Sequence, residues 1–204
     1  MIQKEQGGFG DKASIVLNAG AQANETVGIE GFYHVSCRDA SGNLKWEESF
    51  PNLVNAVGKE LMLDTLLRTS GTYTTVGPFL GLISGASPTF GTGSDTNTSH
   101  PGWTEFINYT VGGSAIRGTA VFAAASSTGS TPSNVTTSAA TAITYTITGA
   151  GGTIGGCFLV TGSGASSTQN NTGGVLYSAG AFTTAKVTTA GDTVSVTYST
   201  TATS

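Results

Sequence analysis

Val187-Thr188-Thr189-Ala190-Gly191-Asp192-Thr193-Val194-Ser195-Val196-Thr197-Tyr198 is the stretch that decides how this chain folds. Val194, Val196 and Tyr198 alternate with Ser195 and Thr197, the period of two expected of a strand with one buried face. Ala190-Gly191-Asp192, set between two β-favouring runs, is a hairpin turn. Ile143-Thr144-Tyr145-Thr146-Ile147 repeats the alternation upstream. Working outward, strands are expected at 79–83, 104–109, 116–124, 142–147, 154–160, 175–182, 184–187 and 193–199, separated by Gly/Ser/Thr/Asn clusters. The stretches 124–140 and 161–174 are expected to be long loops. No helical segments lie between these strands, which argues against a parallel α/β sheet. The expected fold is mainly β, a jelly-roll-like β-sandwich with one amphipathic helix and an extended N-terminal arm.

Composition agrees with that class. Charged residues make up 10% of the 204-residue chain, against a usual ~25%. Leu, Glu, Lys and Arg, the residues that favour helices, are too scarce for an ordinary helical protein. The formal net charge of −4 has the wrong sign for binding nucleic acid by neutralising phosphates. No run of apolar residues is long enough to span a membrane. Met1-Ile2-Gln3-Lys4-Glu5-Gln6 lacks the apolar stretch of a signal peptide, so the chain is expected to start in the cytoplasm.

Charge also divides the chain. Beyond residue 70 the only charged side chains are Asp95, Glu105, Arg117, Lys186 and Asp192. This suggests an arm over 1–30, a hairpin plus helix over 31–70 and a sandwich body over 71–204. The arm has a single apolar run, Ile15-Val16-Leu17, and is expected to order on a partner. Gly31–Arg38 and Leu44–Phe50 alternate on either side of Asp39-Ala40-Ser41-Gly42-Asn43, the pattern of a β-hairpin. A helix is expected from Leu53 to Arg68, capped by Asn52, with Val54, Val57, Leu61, Leu63, Leu66 and Leu67 forming an apolar stripe against the sheet. Ser70-Gly71 would stop it.

Few residues suggest chemistry. Cys37 and Cys157 follow no paired spacing and read as small buried apolar groups. His34 and Cys37 stand three apart, but no second pair follows at zinc-site spacing. Asp95, His100 and Glu105 are close in sequence without a nucleophile elbow. No residue is therefore assigned to catalysis, to a metal or to a cofactor, and the chain is not expected to be an enzyme. Pro101-Gly102 makes a turn, beside which Trp103 is expected in the core, with His100 hydrogen-bonding the turn. The expected interface residues are Ile15, Val16 and Leu17 on the arm and Tyr33, Trp46 and Phe50 on the hairpin; for Trp46, core packing is the alternative.

Three segments carry a resemblance. One runs from Asp39 through Leu44-Lys45-Trp46-Glu47-Glu48 and Asn52–Gly58 to Leu67; another from Phe79-Leu80-Gly81-Leu82-Ile83 through Ser99-His100-Pro101-Gly102-Trp103-Thr104-Glu105 to Arg117. The third is C-terminal, Leu176–Phe182 with Ala190–Tyr198. In this order they resemble the head decoration, or cement, proteins of tailed bacteriophages. The resemblance implies a jelly-roll-like homotrimer that stabilises the capsid exterior by bridging major capsid protein subunits, after assembly in the host cytoplasm. It brings no active-site pattern. The alternative expectation is a fibre or adhesin domain that binds host-surface carbohydrate, with Tyr73, Tyr109, Trp103 or Tyr177 as stacking platforms. A glycan hydrolase would have only Asp95, Glu105 and Asp192 to draw on in the body.

Overall fold

The computed structural model describes residues 28–67, 76–91, 94–128, 131–135 and 142–203. Ile15, Val16, Leu17, Tyr73 and the helix stop expected at Ser70-Gly71 lie outside the described residues.

The elements, in chain order, are β1 (Gly28–Arg38), β2 (Leu44–Pro51), β3 (Leu53–Val54), α1 (Ala56–Leu67), β4 (Phe79–Ser84), β5 (Thr104–Phe106) and β6 (Tyr109–Thr110). They continue as β7 (Gly118–Thr119), β8 (Ser126–Thr128), β9 (Thr131–Val135), β10 (Ile143–Ile147), β11 (Gly152–Thr161), β12 (Val175–Thr188) and β13 (Thr193–Thr203). Two antiparallel sheets form a sandwich. The first runs β2-β1-β13-β10-β6, with the β8–β9 hairpin attached to β13; the second runs β3-β12-β11-β4-β5, with β7 also on β4. Pairing is nested: β1 with β13, β3 with β12, β4 with β11 and β6 with β10. The hairpin and helix that charge sets apart over 31–70 are thus woven into the body, since β1 pairs with β13 from Gly28↔Thr203 to Arg38↔Thr193.

Alternation places the core. Tyr33, Val35 and Cys37 of β1, Val194, Val196 and Tyr198 of β13, and Tyr145 and Ile147 of β10 are all buried inside the sandwich. They face Leu80 and Leu82 of β4 and Ile154, Cys157 and Leu159 of β11. A bulge between Ile154 and Gly156 shifts the register, so the inward residues of β11 step from 154 to 157 before resuming a period of two.

The second sheet is buried on both faces. Its outer side carries another apolar cluster, Ile83, Trp103, Phe158, Val160, Leu176 and Ala179, covered by the segments before β5 and after β11. Phe158 lies against Gly81, its cross-strand partner, where a Cβ would overlap the ring. Helix α1 packs on β12 at Tyr177, whose ring lies against the inner core.

Several expectations are corrected. The helix starts at Ala56, because Leu53 and Val54 pair with Ala179 and Ser178 as β3. The capping position falls to Asn55, whose carbonyl accepts from Gly58 and Lys59, while Asn52 donates from Nδ2 to the Tyr198 hydroxyl at 2.8 Å. The apolar stripe is not buried as a whole: Leu63 and Leu67 are 59% and 75% exposed, and α1 docks through Gly58 and Met62 instead. The strand expected over 104–109 breaks in two, because β5 belongs to the second sheet and β6 to the first. Of 116–124 only β7 is strand, since Arg117 turns inward. The expected loop over 124–140 contains the β8–β9 hairpin. The two strands expected over 175–187 are one, β12.

Candidate functional site

Tyr33 and Phe50, expected at an interface, are core residues with 0% and 2% exposure. The alternation that makes β1 and β2 strands also turns these rings inward, where they pack on one another and on Tyr198 and Phe182. Trp46 sits at the flank between the sheets, edge-on to Phe182 and near the Lys186 ammonium. It is partly buried there rather than displayed.

Among the described residues, besides the Lys45–Asp192 and Lys186–Glu48 pairs, chemistry-bearing side chains gather on one sheet face and in one groove. On the open face of the first sheet, His34 Nδ1 lies 2.9 Å from Ser49 Oγ and its Nε2 lies 2.9 Å from Glu47 Oε1. The connectivity is that of a Ser–His–acid triad. However, the His34 and Glu47 side chains are 47% and 49% exposed on a flat sheet. Charge stabilisation in a transition state requires a water-excluded site, so this arrangement reads as a solvated cross-strand ladder. Cys37, on the opposite face of β1, points into the core and away from His34.

The second place is a groove of about 250 Å³ beside the outer cluster of the second sheet. Its base is an ion pair. Arg117 donates from Nε to Glu105 Oε1 at 2.9 Å and from Nη2 to Oε2 at 2.7 Å, with side chains 2% and 4% exposed. Two charges buried this deeply persist only when fully hydrogen-bonded. The remaining bonds come from the loop after β11: Arg117 Nη2 donates to the Asn171 carbonyl, and the Asn170 N–H donates to Glu105 Oε2 at 2.7 Å. The guanidinium lies 5.0 Å over the Phe158 ring. Tyr109 adds a long bond to Glu105 Oε1, and burial first, then the Glu105 charge, push its phenol well above the ordinary value, so it remains a neutral donor.

Trp103 forms the wall. It is 5% exposed, donates from Nε1 to Asp95 Oδ2 at 3.2 Å and packs on Phe158. Its carbonyl faces His100 Nδ1 at 2.9 Å, and the two rings stack 3.8 Å apart at 17°. A carbonyl only accepts, so Nδ1 carries the proton, and in the neutral ring Nε2 presents a lone pair. Asn97 Nδ2 and Thr98 Oγ1 donate to carbonyls of the loop after β11, tying the two groove margins together.

Of the Ser99–Glu105 cluster singled out in the sequence, His100, Trp103, Thr104 and Glu105 line this groove. Trp103 is in the core as expected, and His100 bonds its turn. Asn97, Arg117, Asn170, Asn171 and Thr172 are added by the fold. One signal pointed at Arg117: a lone cation in a chargeless region, if buried, needs the nearest available carboxylate. Of the expected sugar platforms within the described residues, the Tyr109 and Trp103 rings are buried and Tyr177 lies partly beneath α1. Family models, curated proteins and solved structures were all compared with this chain, and none matches it.

Proposed function

We propose that the chain is a virion structural protein that decorates a tailed-phage capsid, bridging major capsid protein subunits as a homotrimer on the capsid exterior after assembly in the host cytoplasm. The observation that carries this reading is the asymmetry of the sandwich. Among the described residues, the outer face of the second sheet is covered by the segments before β5 and after β11, whereas that of the first is open. On β13 and β10 the open face presents Ser195, Thr197 and Ser199 with Thr144 and Thr146, a flat hydroxyl-bearing surface without charge. The β13–β10 side suits docking on a protein lattice: unlike the β1–β2 side with His34 and Glu47, it has little charge to desolvate and many groups able to hydrogen-bond. The nested pairing of β1·β13, β3·β12, β4·β11 and β6·β10 also supports the jelly-roll kinship implied by the resemblance.

A non-enzymatic role fits the body's carboxylates. Glu105 holds Arg117, Asp192 holds Lys45 and the Thr189 N–H, and Asp95 holds the Trp103 indole. Co-sedimentation with expanded capsids tests the reading. The double variant Ser195→Lys, Thr197→Lys should stay folded and lose binding by roughly tenfold or more, because each ammonium must be desolvated on docking. Absence of capsid binding by the unaltered chain, or full binding by the variant, overturns it.

A further inference from the structure

We infer that the groove floored by Arg117 and Glu105 is a binding site for a neutral oligosaccharide, held one ring deep. Its volume of about 250 Å³ is smaller than that of sites for drug-sized ligands, which span ~300–1,000 Å³. A second hollow of about 280 Å³ shares Trp103 and Thr104 with the first, leaving room for a linked ring.

The walls supply what a sugar requires. The plate is His100, a half-buried ring backed by Trp103 and held flat against it. The apolar face of a pyranose packs on such a surface, while its hydroxyls need directional partners. In the neutral ring His100 Nε2 is an acceptor, with no partner among the described residues. Thr98, Thr104, Thr172 and Asn170 are exposed around the rim. The rim is pre-organised, because Asn97 and the Arg117–Glu105 pair lock the segments that carry it, lowering the ordering cost of binding. Neutrality follows from the lining: Arg117 cancels Glu105, and Asp95, bonded to the Trp103 indole, does not line the groove. Nothing in the groove is left to attract a phosphate or an amine.

This inference needs only the groove and stands apart from the capsid reading. The test uses the full chain with Trp46→Phe, which leaves Trp103 as the sole indole and removes a buried Nε1 that has no hydrogen-bond partner among the described residues. The methyl glycosides of glucose, galactose, rhamnose and N-acetylglucosamine are titrated by indole fluorescence and by saturation-transfer NMR. At least one should give a saturable response. Asn170→Gly, which keeps the left-handed backbone at φ 58, and Thr172→Val should each weaken it by roughly tenfold, the loss of a hydrogen bond to the sugar, at unchanged thermal stability. No saturable response to any glycoside, a response in both rim variants as strong as without the substitutions, or competition by inorganic phosphate overturns the inference. Capsid co-sedimentation of the rim variants is expected to be unaffected, so the two readings fail separately.

Discussion

Arg117 and Glu105 show how much a single pair decides in a body with almost no charge. Each is the other's counter-ion, and both are desolvated. Removing one partner leaves the other buried and uncompensated, at a cost of about 3–5 kcal/mol. Arg117→Met and Glu105→Gln should each lower stability by that order in urea unfolding. The double variant Arg117→Met, Glu105→Met should lose clearly less than the sum of the two, because it leaves no orphaned charge. Additive losses would show that the two side chains act independently. The same scale explains why Tyr33 and Phe50 are unavailable to a partner: side chains on one face of a strand share one fate, and theirs is the core.

At the scale of elements, the contact between α1 and β12 depends on a missing side chain. A Cβ on Gly58 would stand 2.7 Å from the Tyr177 carbonyl oxygen. In an exposed helix, Gly→Ala stabilises by up to ~1 kcal/mol. Here the sign should reverse, with Gly58→Ala destabilising by about 1–3 kcal/mol as the helix is pushed from the sheet. Thermal unfolding of the variant measures it, and any gain in stability would contradict the close contact. The edge strand β2 tells a related story. It carries Lys45, Glu47 and Glu48 and ends in Pro51, devices that discourage pairing with another chain's edge. Charge that is missing from the body is thus present on an edge that needs it.

For the whole molecule, stability is bounded by titration on both sides. Burial alone would raise the Glu48 and Asp192 carboxyls. Hydrogen bonds from Lys186 and the Thr183 N–H, and from Lys45 and the Thr189 N–H, outweigh it and hold both below their ordinary values of 4.5 and 3.8. A depressed acid stabilises the fold above its unfolded pKa, and that contribution is lost as pH falls through the lower, folded value. On the alkaline side burial pushes Cys37, further raised by Asp192, to about 11 and Tyr198 to about 12; Tyr33, Tyr109, Tyr145 and Cys157 are also held well above ordinary values. The unfolded chain releases these protons from about pH 9 upward while the native one keeps them, so stability falls as pH rises. Melting temperature should therefore plateau near neutrality and decline below about pH 4 and above about pH 9. Tyrosinate absorbance should appear together with unfolding, and its appearance in the folded protein would contradict the burial of these rings.

Strand class, the β1–β2 hairpin and the faces of β10 and β13 were legible in the amino-acid order, because a strand with one wet face writes its burial as a period of two. The Ser99–Glu105 cluster was legible as distinctive for its residue types, though not for its surroundings. The tertiary structure alone decided which sheet each strand joins, where α1 begins and that Arg117 closes on Glu105. Those outcomes depend on partners far away in the chain. β3 exists because β12 pairs with Leu53 and Val54, β11 loses its alternation because both of its faces are covered, and the groove forms only where the loop after β11 meets the turn before β5. Local pattern records whether a side chain is buried; it does not record what buries it.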